Sequence, residues 1–362
     1  LISFDENRKQ YATNAIQALI QCCAISPSFP DFVQLLHLFF EHGQEIDIFD
    51  NTSTDISKKV PPSLLLEAAP QLLVQLSHPA QNIANLVHTI IMDLLPNHYH
   101  SLIFSVIIIT FSNDQNRANG ATNILSEFGT LYPDVYNEVL LIRKSLLIAA
   151  VTSTELAMMT VDDAYLLMQS DQCERAVKSL QDFLKELEQP KCEMHTQFLV
   201  DFKSTIDELK KIMGKIYSPN QTESCQSTEV DDKDHSLSRF VDDSNVVSTD
   251  DEDSENDVIL NLKALEDLKV WLQKSKKIFS DEILRIQLIQ LSSISKQLND
   301  KRSFLLAVPG TYKPNKPLVR IEYFVRQIGV YMTKQQPKDV VIKGQDGYFY
   351  QYMLKGHEDL RL

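Results

Sequence analysis

Apolar positions recur every three to four residues over most of the first 300 positions, the spacing that lays one apolar stripe along an α-helix. Up to about residue 150 the periodic segments are Ala15–Cys23, Phe32–Glu41, Ser63–Leu76, Ile83–Leu95, His98–Ser112, Ala118–Phe128 and Pro133–Ala149. Short polar breaks such as Ser26-Pro27-Ser28, His78-Pro79 and Asn113-Asp114 separate them. Pro62, Pro79 and Pro133 fall where a first helical turn tolerates proline, because the N–H it lacks has no partner there anyway. Helices of this length and spacing predict an α-solenoid over residues 1–149. The letters show no clean repeat, so this reading rests on helix lengths.

From about 150 to 300 the same periodicity predicts a four-helix bundle. Its helices are Leu146–Gln169, then Glu174–Leu187 with Asp171 as a candidate cap, then the stripe Met194, Phe198, Phe202, Ile206, Leu209 and Met213, bounded at its start by Pro190. The fourth is Leu262–Leu298, which carries the only tryptophan, Trp271. Between the third and fourth lies a stretch, 217–258, that is poor in apolar residues and holds 13 Asp and Glu against only Lys233 and Arg239. It cannot bury enough surface to fold alone and reads as a disordered insertion.

Beyond residue 300 the period shortens to two. Val340–Lys343 and Tyr348–Lys355 are β-rich runs joined by Gly344-Gln345-Asp346-Gly347, whose Asp-Gly pair suits the positive φ of a hairpin turn. Alternation puts Phe349, Gln351, Met353 and Lys355 on one face and Tyr348, Tyr350, Tyr352 and Leu354 on the other. A lone Lys closing an apolar strand is expected to look inward. There an ammonium is costly unless it meets an anion, and phosphate is a natural one. The hairpin alone leaves open a plain surface strand whose last Lys reaches water.

Composition adds less. A hydrophobic share of 43% supports sizeable cores, and 9 Gly in 362 residues suits helices better than many short strands. Five scattered Cys without metal-type spacing point to reduced thiols in a cytosolic or nuclear protein, with Cys22-Cys23 as core packing. The longest apolar run, Leu102–Phe111, is too short to cross a bilayer. Most of the net charge of −14 sits in the insertion, so the rest is nearly balanced and carries no nucleic-acid footprint. His98 and His100 lack a complementary Cys or carboxylate at metal spacing and read as capping or partly buried. Ser248, Thr249 and Ser254 each precede an acid by three residues, as an acid-directed kinase requires, but a solvated spacer is the simpler account of that stretch.

Longer words carry a resemblance. Ala307-Val-Pro-Gly-Thr-Tyr-Lys-Pro-Asn-Lys-Pro317, Val319-Arg-Ile321 and Leu354-Lys-Gly-His-Glu-Asp-Leu-Arg361 resemble the start of the kinase N-lobe in phosphatidylinositol-3-kinase-related kinases, above all the target-of-rapamycin (TOR) branch. Upstream, Leu64-Leu65-Leu66-Glu67-Ala68-Ala69-Pro70-Gln71-Leu72, His98-Tyr99-His100-Ser101-Leu102-Ile103 and Asn119-Gly120-Ala121-Thr122-Asn123-Ile124-Leu125 are similar to the end of that family's FAT domain, an α-solenoid. The resemblance implies a mainly α chain: a FAT-like solenoid (1–149), an FRB-like four-helix bundle (150–300) and the first β-strands of an N-lobe (301–362). FRB is the family's rapamycin-binding module.

The resemblance further implies an ATP site in which Lys355 holds the α- and β-phosphates. Thr333, Lys334 and Gln335 would lie in the loop over the phosphates, Met353 would line the adenine slot, and Glu358 would pair with Lys355 or orient metal-bound water. Matching Ile294-Ser-Lys-Gln-Leu298 to the family puts Leu284 and Leu291 where TOR proteins offer aromatic residues to rapamycin, and Tyr165 where they keep a small serine. Binding of rapamycin with its immunophilin is therefore expected to be weak or absent. No His-Arg-Asp or Asp-Phe-Gly word occurs, so the catalytic base and Mg²⁺ ligands are expected beyond residue 362, and the 362 residues alone are expected to be inactive. Implied partners are protein substrates, a Raptor-like or Rictor-like adaptor and a small β-propeller subunit. The implied location is cytoplasmic, with nuclear or endomembrane-surface pools. The alternative is a FAT scaffold with an inactive kinase domain.

Overall fold

The computed structural model describes residues 2–42, 56, 58–216 and 261–356. The acidic insertion 217–258 and Glu358 lie outside the described residues. The chain divides into two compact units, Leu1–Thr152 with Ile286–Leu362, and Ser153–Arg285.

In the first unit the helices are α1 (Ile2–Ile25), α2 (Phe29–His42), α3 (Pro62–Glu67), α4 (Ala69–Val74), α5 (Gln81–Ile109), α6 (Gln115–Leu131) and α7 (Pro133–Ala150). Their local causes are visible. Helix α2 buries Phe32, Leu35, Leu36 and Phe39, one stripe at helical spacing. Pro62 and Pro133 open α3 and α7. The Asp114 carboxylate caps α6 by accepting from the N–H groups of Asn116 and Arg117. The two segments expected over 83–95 and 98–112 form one 29-residue helix, kinked at His98, where φ is −133° and ψ 20°, just after Pro96. Proline withholds an N–H and crowds the preceding turn, which is the usual cause of such a kink.

The same unit holds the sheet: β1 (Leu288–Gln290), β2 (Ile321–Phe324), β3 (Gln327–Val330), β4 (Lys338–Gly344) and β5 (Phe349–Leu354), all antiparallel. Strand β4 is central. β5 pairs with it from Lys338 to Lys343, while β2 and β3 share its other edge. The hairpin turn forms as its sequence requires, with Gly347 at φ +87° and its N–H donating to the Gly344 carbonyl at 3.0 Å. The long fourth helix expected to reach Leu298 stops earlier. Residues 288–290 leave helical geometry to pair with β3, placing Ile289 opposite Ile328, both buried. Two short helices, α13 (Leu291–Ile294) and α14 (Lys296–Asp300), follow.

The solenoid helices and the sheet segment, separated at 149 and 301 in the sequence reading, share one core here. Side chains of α5 and α7 hold the incoming stretch 301–312. Glu138 accepts from the Leu305 N–H at 2.8 Å and pairs with the Lys301 ammonium at 3.1 Å. His100 Nδ1 accepts from the Ala307 N–H at 3.2 Å. His98 Nδ1 meets the Tyr312 hydroxyl at 2.6 Å, and that hydroxyl donates to the Asn97 carbonyl at 3.3 Å beside the kink. Sequence reasoning gave the two histidines a capping or partly buried role; their partners lie more than 200 residues away, beyond the reach of local pattern. Glu138 left one signal that went unused, an acid between the apolar Val135, Val139 and Ile142.

This arrangement makes the first unit acid-sensitive. Burial, with the charge of Arg320 added, pulls the His100 pKa from 6.5 down to about 4. The imidazole is neutral in the fold and must stay so to accept from Ala307. The unfolded chain takes up its proton near pH 6.5, so the contribution is complete above that pH and drains away as pH falls through about 4. The span corresponds to about 3 kcal/mol. Thermal melts between pH 7 and 4 should show a steeper loss for the natural protein than for His100→Asn, which cannot be protonated. Identical slopes would refute the assignment.

The second unit is a bundle of α8 (Ser153–Gln169), α9 (Cys173–Leu187), α10 (Glu193–Asp201), α11 (Lys203–Ile216) and α12 (Leu262–Ile283). Its core gathers Val161, Met168, Leu180, Phe198, Phe202, Leu209, Leu268, Trp271, Leu272 and Phe279. The expected third helix is two, broken at Phe202. Asp171 caps no helix N-terminus. With φ at +57° it ends α8 in the left-handed conformation, and the Gln172 N–H behind it closes onto the Leu167 carbonyl at 2.9 Å.

Candidate nucleotide site and bundle cleft

The loop Tyr331–Pro337 joins β3 to β4. Its ends are tied by the Tyr331 N–H to the Pro337 carbonyl at 3.0 Å, and a tighter turn closes from the Gln336 N–H to the Thr333 carbonyl at 3.1 Å. Thr333, Lys334 and Gln335 are exposed at its tip, whereas Gln336, Pro337 and Lys338 are buried. The Lys338 ammonium donates to the Gln336 carbonyl at 2.8 Å, securing the root of the loop from inside. The sequence reading missed this lysine, although it lies in phase with the buried Val340 and Ile342.

Register decides which site residues meet. Lys338 is opposite Leu354, so the loop and the exit of β5 occupy the same end of the sheet. The loop that carries Thr333, Lys334 and Gln335 and the strand exit that carries Met353 and Lys355 therefore lie at the same end of the sheet. Their face is not the expected one. Phe349 and Met353 are 59% and 56% exposed, while the alternate residues Tyr350, Tyr352 and Leu354 turn toward the protein. The Tyr352 hydroxyl donates to the Pro309 carbonyl at 2.8 Å, which fixes that choice. Lys355 is partly buried just past the end of β5. Asp339, which lies opposite Met353, shares that face and accepts from Gln351 Nε2 at 2.8 Å. At the far end Tyr350 donates to Asp346 at 2.6 Å, a bond that drives the phenol pKa up to about 12 and holds the carboxyl below its usual range.

The end of β5 also abuts the solenoid. A Cβ on Gly356 would stand 2.4 Å from the Ala150 carbonyl oxygen and 2.6 Å from Val151 Cγ2, so only glycine fits there. Among the described residues no three His, Cys, Asp or Glu side chains converge as a metal site.

On the bundle, Tyr165 packs partly buried against the core, and its hydroxyl accepts from Gln273 Nε2 at 3.2 Å. Leu284, at the C-terminal end of α12, is 60% exposed. Leu291 belongs to the other compact unit, where it is 1% exposed within α13. The third residue of the expected cleft thus serves the core of the first unit.

Serine/threonine-protein kinase tor1 of Schizosaccharomyces pombe is 26% identical over 359 residues, covering 98% of this chain. Serine/threonine-protein kinase mTor of Drosophila melanogaster is 24% identical over 355 residues, again 98% of the chain. Along nearly its whole length the chain is similar to serine/threonine kinases named TOR. It spans about 14% of the length of the yeast relative and 13% of that of the fly relative. No family model matches the chain. A solved structure described as the FAT and kinase domain of CtTel1 aligns over 100% of this chain and 18% of its own, at 11% identity and a TM-score of 0.42, too low to bear on the argument. The TOR relationship accords with the observed order of helical solenoid, bundle and antiparallel strands.

Proposed function

We propose that this chain supplies, within a longer TOR-like protein, the end of a FAT solenoid, an FRB-like bundle and the nucleotide-binding start of a kinase N-lobe. The whole protein transfers the γ-phosphate of MgATP to Ser and Thr hydroxyls of protein substrates in nutrient and growth signalling. The observation that carries this is the convergence of the 333–335 loop, Met353 and Lys355 at one end of an open sheet face in a TOR homologue. An open face that carries Phe349 and Met353 suits a planar base, and the lysine at its margin suits the phosphates that follow the ribose. The backbone and side chains of Thr333, Lys334 and Gln335 would cover those phosphates. Mg²⁺, when bound with the nucleotide, would neutralise phosphate charge.

The test is phosphorylation of Ser/Thr protein substrates by the full-length protein with MgATP. A full-length protein that binds no MgATP and transfers no phosphate would overturn this reading. A Raptor-like or Rictor-like adaptor and a small β-propeller subunit are the partners proposed by relationship, and the cytoplasm the proposed compartment, with nuclear and endomembrane-surface pools.

The bundle is proposed to be rapamycin-resistant. A phenol at 165 fills space that a serine would leave, its hydroxyl is engaged by Gln273, and Leu291 is committed to another core. Mixing the protein with rapamycin and its immunophilin should give no ternary complex at micromolar drug by size-exclusion chromatography. A complex at that concentration would refute the assignment.

A further inference from the structure

Residues 304–309 are satisfied along their two edges by different parts of the fold. On one edge they pair with the stretch that leads into β2. The Phe304 N–H donates to the Ile321 carbonyl at 2.9 Å, the Val308 N–H donates to the Val319 carbonyl at 2.9 Å, and Ala307 lies opposite Arg320. The alternate N–H groups, those of Leu305 and Ala307, go to side chains of the solenoid: to Glu138 of α7 at 2.8 Å and to His100 Nδ1 of α5 at 3.2 Å. Two helix side chains thus take donors that a neighbouring strand would otherwise accept, at the period with which they recur along one edge. Phe304, Leu306, Ala307 and Val308 are buried, so the segment is also held by its packing. Its far end meets β5, where the Pro309 carbonyl accepts from the Tyr352 hydroxyl at 2.8 Å. Burial pushes the pKa of that phenol up, which keeps it a donor near neutral pH. Pairing with β4 fixes the register of β5. Tilt about the paired edge is a softer motion, because hydrogen bonds tolerate a range of angles, and contacts on the strand's faces oppose it.

Resting on the nucleotide reading above, we propose that Tyr352 is a positioning residue: the solenoid, through Glu138 and His100, holds the Pro309 carbonyl in place, and the Tyr352 hydroxyl seated on it sets the tilt of β5 and so the placement of Met353 against the base. Tyr352 lies on the face of β5 opposite Met353, so it acts on the nucleotide through the strand. Tyr350 is the contrasting case. It shares the face of Tyr352, but its hydroxyl donates to Asp346 at 2.6 Å, which ties β5 to its own hairpin turn and not to the segment that the solenoid holds.

In the full-length protein Tyr352→Phe removes one hydroxyl and keeps the ring. It should raise the KM for MgATP about fivefold, the scale of one hydrogen bond. Both kcat and the KM for the protein substrate should stay as in the natural protein. Tyr350→Phe deletes the same group on the same strand and should leave the KM for MgATP unchanged. His100→Ala releases the Ala307 N–H at the solenoid end and should also raise that KM. Because both changes act through one segment, the KM of the Tyr352→Phe, His100→Ala double variant should rise by less than the product of the two single effects. If the unmodified protein binds no MgATP, the nucleotide reading itself falls. If it binds MgATP and the two tyrosine variants share one KM, whatever their melting temperatures, the nucleotide reading stands and the seat on Pro309 is wrong. Single effects that multiply in the double variant overturn the link to the solenoid. Should His100→Ala fail to fold, the comparison of Tyr352→Phe with Tyr350→Phe decides alone.

Discussion

Replacing Lys355 by Met in the full-length protein is expected to lower kcat/KM for Ser/Thr phosphorylation by about 10²–10³-fold, the range found when one preorganised charge-stabilising group is removed from an active site. Met keeps the length and apolar stem of lysine and deletes the ammonium, so packing at the exit of β5 is preserved. The charge so removed lies beside the 333–335 loop, where register places both at one end of the sheet. Lys355→Arg tests whether charge alone suffices. Arg carries a planar fork in place of a point charge, so only partial recovery is expected. The measurement is steady-state kinetics at varied MgATP beside a thermal melt. An unchanged kcat/KM in Lys355→Met would remove the residue from the site and favour a scaffold function for the protein.

Trp271→Ala should be the most damaging substitution in the bundle. The indole is buried among the five helices of the second unit, and its Nε1 donates to the Thr205 carbonyl at 3.0 Å, joining α12 to α11. Truncation loses the transfer energy of the ring, leaves a cavity and removes the hydrogen bond to the Thr205 carbonyl, together about 3–5 kcal/mol. Whole domains are stable by only about 5–15 kcal/mol, so the unit loses a large fraction of its margin. Melting followed by far-ultraviolet circular dichroism should show an early transition, lowered by more than about 10 °C. Trp271→Phe retains most of the packing and should cost much less. Equal melting of the Ala variant and the natural protein would show that the bundle core does not depend on this ring.

Much of this architecture is legible in the order of the residues. Helix positions follow from apolar stripes such as Phe32, Leu35, Leu36 and Phe39, which have one low-energy way to bury their carbons. The β4–β5 hairpin follows from period-two alternation and the Asp346-Gly347 turn. Alternation also sorts the residues of β5 into two faces, yet it is symmetric and carries no sign. The Phe349, Gln351 and Met353 face lies open because Tyr352, on the other face, reaches the Pro309 carbonyl, a contact set by where another segment lies. Residues 288–290 are a sharper case. Their local pattern continues a helix, and the free edge of β3 outcompetes it by offering a full set of backbone hydrogen bonds with Ile289 against Ile328. Leu291, the next residue, opens a short helix and is buried within the first unit. The fully buried Lys338 and the tether from Glu138 to Leu305 likewise depend on partners that sequence proximity does not supply.

The sequence by itself determined most of the helical and strand elements, the hairpin turn, and the ordered words that carry the kinase resemblance. Each rests on local periodicity, turn geometry or ordered motifs, where the relevant interactions are close along the chain. Only the tertiary structure decided which face of β5 is open, where the fourth bundle helix stops, and that His98, His100 and Glu138 hold the segment entering the sheet. Those outcomes depend on competition between segments far apart in sequence, and closing such distances is settled by the net energy of the packed whole.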